Sequence, residues 1–148
     1  MKTYKTNLDE LKLRKVKTNI PRAQIMSSKD AADYIRQFYF DDIEIYESFF
    51  LLLLNRANNT IGYAKISQGG TVGTVVDIKI ICHYAIRTLG CSVILSHNHP
   101  SGALKPSRAD LEITKKATEA LKLIDVKVLD HVVLAAEGYF SFADEGLL

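Results

Sequence analysis

The run Ser96-His97-Asn98-His99-Pro100, followed by Ser107-Arg108-Ala109-Asp110, gathers side chains suited to holding one divalent metal ion. Two histidines one residue apart point to the same side of an extended segment, because side-chain direction repeats every two residues in a strand. Both imidazoles can therefore reach one point. A catalytic zinc takes three protein ligands about 2.0–2.2 Å away and keeps a fourth position for water, whereas structural zinc is closed by four, often cysteines. His97, His99 and Asp110 make a set of three, which favours catalysis. Ser107 and Asp110 also read as an S-x-x-D helix cap, satisfying free backbone N–H groups. A cap does not account for two neighbouring histidines at the end of an apolar strand.

Hydrolysis at such a metal needs a proton shuttle, and a carboxylate outside the ligand set usually provides it. Glu47 is the candidate, because it enters the most hydrophobic strand of the chain, where partial desolvation makes a carboxylate a better base. Glu44 lies nearby as the alternative. His83 reads as a surface or boundary residue within a helix. His131, beside Asp130 in a strand, could support the metal ligands through the sheet, but a structural role is the preferred reading, since nothing in its spacing directs it to the metal.

These side chains need a strand end, a loop and a helix start to bring them together. Ser92 to His97 reads as a buried strand, Asn98 to Pro106 as a loop bent by Pro100, Gly102 and Pro106, and Ser107 opens a helix running to about Leu123. Upstream, Leu11 to Lys17 is expected as a Lys-rich edge strand. Ser27 and Asp30 cap a short helix with Ala31, Tyr34, Ile35 and Phe38 on one face, and the Asp41-Asp42 turn follows it. Glu47 to Asn55, containing six consecutive apolar residues, reads as a strand covered on both sides. Asn58-Asn59 turns it into a hairpin with Thr60 to Ser67. After the loop Gln68-Gly69-Gly70, a short strand leads to Asp77, the cap of a helix with Ile78, Ile81, Cys82, Ala85, Ile86 and Leu89 at helical spacing and Gly90 at its end. Val126 to Ala135 and Gly138 to Phe142 form a closing hairpin. Alternating strands and helices predict an α/β domain with a mixed sheet.

The chain of 148 residues fits one domain, and 47% hydrophobic with 24% charged residues is the composition of a globular protein. The longest apolar run is too short to cross a bilayer, and the first ten residues lack an apolar signal stretch, so the expected location is the cytoplasm, with no membrane partner. Cys82 and Cys91 have no metal or disulfide spacing and read as buried free thiols. The net charge of +2 is uneven: seven Lys/Arg against two acidic residues give residues 1–22 a net +5, leaving −3 for the remainder. Residues 1–25 therefore read as a basic arm or edge strand and residues 26–148 as the domain. Such charge can attract nucleic acid, but a solvated arm is the plainer reading.

Glu47, His97-x-His99-Pro100 and Ser107-x-x-Asp110 together resemble the JAMM motif of the JAB1/MPN+ metalloprotease family. The run SHNHPSGALKPSRAD, with VLDHVV and GYFSFADEGLL, is similar to the JAB domain of the RadC family, bacterial proteins historically called DNA repair proteins; the resemblance spans roughly Met26 to Leu148. It implies a cytidine-deaminase-like three-layer α/β/α architecture and zinc held by His97, His99 and Asp110. Glu47 is then the acid/base, passing a proton from water to the leaving nitrogen of a peptide or isopeptide amide, and Ser107 orients or stabilises the oxyanion. The implied substrate is a peptide or protein. RadC proteins generally also carry an N-terminal helix-hairpin-helix region associated with DNA contact, and no such segment fits before residue 26. The competing reading is a non-catalytic binding module acting with DNA or a DNA-repair complex. A nucleobase deaminase ranks third, because the H-x-E and P-C-x-x-C pattern is missing.

Overall fold

The computed structural model describes residues 1–3, 5–40, 42–69 and 75–148. Its elements run α1 (Ser28–Arg36), β1 (Ser48–Leu54), β2 (Thr60–Gln68), α2 (Ile78–Thr88), β3 (Ser92–Asn98), α3 (Arg108–Lys122), β4 (Lys127–Leu134) and β5 (Tyr139–Ser141). The strands form one sheet in the order β2-β1-β3-β4-β5. Only β3 and β4 are parallel, and α3 is the crossover that a parallel pair requires.

The layers follow from strand alternation. Phe49, Leu51 and Leu53 of β1 share one face with Val93 and Leu95 of β3 and pack on Ile81 and Ala85 of α2 and Ala117 and Leu121 of α3. Phe50, Leu52 and Leu54 face the other way, with Ile94, Val132 and Leu134, against Ala31, Ala32 and Ile35 of α1 and the Phe38 that follows it. Both faces of β1 are thus covered, which is why its sequence has no polar alternation. The result is the expected three-layer α/β/α domain with a mixed sheet. No helix among the described residues is long and apolar enough to cross a membrane.

Four expectations are corrected. Leu11 to Lys17 forms no strand: its residues are exposed apart from a half-buried Leu13, leaving no apolar face to drive pairing. The chain meets the edge of β2 only later, where Thr60 donates to the Ala23 carbonyl and Ile25 to that of Asn58. Cys91 is exposed and Cys82 half-buried, so neither thiol is buried. On α2, Ile86 and Leu89 face solvent, because only Ile81 and Ala85 point squarely at the sheet. That helix ends through Leu89 in the left-handed region (φ 53°), one residue before the expected Gly90. The strand expected ahead of Asp77, the Gly70 end of its loop and the Asp41 half of the acidic turn lie outside the described residues.

Candidate metal centre

The same alternation aims the histidine pair. His97 follows Val93 and Leu95 on the face of β3 covered by α3, and Asp110 stands in the first turn of α3. His99 lies just past the strand end, its N–H donating to the Leu134 carbonyl (2.8 Å). Gly102, at φ +86°, returns the loop by donating to the His99 carbonyl, a conformation that favours glycine. Ser107 is the N-cap of α3: its Oγ accepts from Asp110 N (3.1 Å), while its own N–H donates to Asp110 Oδ2 (2.7 Å). The capping box therefore sets the rotamer of the carboxylate it shares with the site.

His97, His99 and Asp110 converge, one ligand atom from each lying within 4.8 Å of the others. His97 Nε2 is 3.0 Å from His99 Nε2 and 3.2 Å from Asp110 Oδ1, and His99 Nε2 is 3.3 Å from Asp110 Oδ2. Ligands about 2.0–2.2 Å from a tetrahedral zinc stand roughly 3.3–3.6 Å apart, a spacing close to that between the two imidazole nitrogens and from each of them to one Asp110 oxygen. Their side chains are 3, 12 and 15% exposed, which makes a notch closed behind His97 and open on the side of His99 and Asp110.

Hydrogen bonding decides which nitrogens are bare. His99 Nδ1 faces the Ala103 carbonyl at 2.6 Å, an acceptor only, so its proton sits there and Nε2 carries the lone pair. His97 Nδ1 faces His131 Nε2 at 2.7 Å, and His131 Nδ1 faces Thr114 Oγ1 at 2.5 Å. The Thr114 hydroxyl donates to the Asp110 carbonyl (2.6 Å), so toward His131 it accepts. Protons then sit on Nδ1 of His131 and Nδ1 of His97. Two lone pairs and a carboxylate converge on one spot, an arrangement that calls for a cation. Without a metal a proton fills that need. Its hydrogen bond to Asp110 raises the His99 pKa, burial opposing. Burial pushes the Asp110 carboxyl up, but the facing imidazoles of His97 and His99 outweigh it and hold the group well below the usual carboxylate range. Burial keeps His131 neutral, its pKa pushed well down.

Glu47 lies beside this cluster, its Oε1 4.0 Å from His99 Nε2 and its side chain 23% exposed. Asn98, on the opposite face of β3 from His97, holds the segment that carries it. Its Nδ2 donates to the carbonyls of Ile43 (2.7 Å) and Tyr46 (2.9 Å), and its Oδ1 accepts from Ser48 N (2.8 Å). All five site residues expected from the sequence thus share this end of the sheet; His83 does not, lying on the solvent side of α2. Sequence reasoning missed Asn98, Thr114 and the contact of His131 with His97. Only Asn98 left a signal, as a polar residue between two candidate ligands in a buried strand.

A family model described as "RadC-like JAB domain" matches residues 25–147. A UPF0758 protein of Flavobacterium johnsoniae is 42% identical over 139 residues, covering 94% of this chain and 56% of the relative. One from Porphyromonas gingivalis is 38% identical over 141 residues, covering 94% and 61%, and one from Coprothermobacter proteolyticus 35% over 131 residues, covering 87% and 56%. The chain therefore spans little more than half the length of these relatives.

Proposed function

The chain belongs to the RadC-like JAB domain family, and on that premise we propose that it is a zinc-dependent hydrolase of JAMM type, cleaving a peptide or isopeptide amide bond. The observation carrying this reading is the convergence of two bare imidazole nitrogens and one carboxylate at a solvent-reached notch. His97, His99 and Asp110 would hold the metal. Zinc bound by three protein ligands supplies a Lewis acid that lowers the pKa of a fourth-position water to about 7 and polarises a carbonyl.

The remaining work falls to the chain. Glu47 reaches the open side of the notch, where it takes a proton from the attacking water and returns it to the leaving nitrogen. Ser107 accepts from Asp110 N, which leaves its own O–H free to donate to an oxyanion at the mouth of the site. Asn98 keeps Glu47 in reach by clamping the backbone on both sides of it.

The test compares wild type, Glu47→Gln and His97→Ala, each exposed to zinc, against a library of peptides and isopeptides. Expected is chelator-sensitive cleavage by wild type alone, with zinc retained in Glu47→Gln and lost in His97→Ala. Equal metal loss in both variants contradicts the division of labour. Zinc binding with no cleavage moves the weight to the binding-module reading, in which the metal only stiffens the loop.

A further inference from the structure

We infer that Thr114 and His131 are positioning residues: they form a hydrogen-bonded strut that fixes His97 in its Nδ1–H tautomer, so that Nε2 is held bare toward the notch. The inference rests on reading His97 as a metal ligand, but its first readout involves no metal.

The strut is built from three elements. His131 comes from β4, where the pairing with β3 passes from Val93↔Val128 directly to Ile94↔Asp130 and skips Leu129. Val128 packs on the α2/α3 face. Regular alternation would put His131 on the opposite face from Val128; the extra residue reverses the parity and turns His131 toward His97 and α3. A bulge of this kind re-aims a side chain and locally interrupts pairing.

His131 is then held from every side. Its ring is fully buried, stacked on Phe142 at 4.7 Å between centroids and met by the edge of Phe49 at 5.5 Å. Its neighbour Asp130 is occupied elsewhere, accepting from His131 N, Ala143 N and Ser141 Oγ, and the acidic groups of the site sit on the far side of His97. Thr114 supplies the direction. With its one hydrogen on the Asp110 carbonyl, it offers His131 only a lone pair. Each proton in the row thereby points the same way, from His97 to His131 to Thr114. The residue that orients the first ligand's imidazole also braces, through that carbonyl, the helical turn carrying the third.

A satisfied core histidine would need none of this directionality, and the two readings separate experimentally. Long-range nitrogen–proton NMR on the zinc-free chain at mildly alkaline pH reads each imidazole tautomer, and titration with zinc alone reads affinity. Wild type should show His97 and His131 both as Nδ1–H. In Thr114→Val, His131 loses its acceptor, moves its proton to Nε2, and pushes the His97 proton onto the nitrogen facing the notch. Zinc affinity should then fall about 10–100-fold, the usual effect of removing such a partner. Thr114→Ser should restore both readouts, and His131→Phe, if it folds, should repeat the Thr114→Val result. An Nε2–H tautomer of His97 in zinc-free wild type overturns the inference. So does a Thr114→Val variant with unchanged tautomers and affinity. If the tautomers are as stated but wild type takes up no zinc, the metal reading fails and the strut stands.

Discussion

At the scale of single residues, the site depends on buried polar groups whose partners are already assigned, so each truncation has a definite cost. Asn98 is fully buried and makes three hydrogen bonds; Asn98→Ala strips the Ile43 and Tyr46 carbonyls and the Ser48 N–H of their partner. At about 1–3 kcal/mol for an unsatisfied buried group, with water relieving some of the loss, the variant should be destabilised by roughly 3 kcal/mol in denaturant unfolding. Because Asn98 acts on the backbone around Glu47 rather than on the ligands, kcat should fall while bound zinc stays stoichiometric. Acid should act on the other half of the site. Metal binding requires a neutral imidazole, and Asp110 raises the affinity of His99 for its competing proton. Zinc affinity should therefore decline as pH falls through the neutral range, earlier than an unperturbed imidazole requires, and Asp110→Asn should move that decline to lower pH while weakening binding throughout. Isothermal titration across pH would show it; a pH-independent affinity near neutrality would contradict it. The convergence of His97, His99 and Asp110 was legible because identity and spacing carry it. The roles of His131 and Thr114 were not, since a tautomer depends on which atom lies across the fold.

At the scale of elements, local rules account for what was read correctly and for what was not. The unbroken apolar run of β1 announces a strand covered on both faces, and Ser107-x-x-Asp110 announces a helix start; both form as expected. Parity beyond a bulge cannot be read from one strand, because the skipped Leu129 is defined only against β3. Hydrophobic spacing also overstated α2, where apolar residues outnumber the positions the sheet can cover. Its terminus offers a test. Leu89 holds φ at 53° with its side chain 83% exposed, so it bears left-handed strain and buries little. A left-handed residue other than glycine costs about 1–2 kcal/mol, and the entropy glycine adds to the unfolded chain returns about half of that. Leu89→Gly should thus raise stability by roughly 0.5–1 kcal/mol with the site unaffected. The opposite sign is expected at α3: Ser107→Ala removes the acceptor for Asp110 N and should cost about 1 kcal/mol, as lost N-caps do. A Ser107→Ala variant as stable as wild type would mean that the cap contributes nothing and that Ser107 serves chemistry alone.

At the scale of the whole molecule, the three proposed ligands come from the end of β3, the loop beyond it and the first turn of α3, and only the folded sheet with its crossover helix brings them together. The unfolded chain keeps His97 and His99 close but loses Asp110, the capping box and both tautomer-fixing contacts. Zinc should accordingly favour the folded state by RT ln(1 + [Zn]/Kd), about 2.7 kcal/mol at a hundredfold excess over Kd. For a chain near 150 residues, each kcal/mol moves Tm by about 2–4 °C, so calorimetry should find a rise of roughly 5–11 °C on zinc addition and its reversal by chelator. Glu47→Gln, with all three ligands intact, should keep the full rise, and His97→Ala should lose it. Thr114→Val should keep a smaller one, because a tenfold to hundredfold weaker Kd removes about 1.3–2.3 kcal/mol at the same zinc concentration. Equal rises in wild type and His97→Ala would mean that zinc stabilises the fold from elsewhere on the surface, leaving the convergence of imidazoles and carboxylate as a hydrogen-bonded cluster and nothing more.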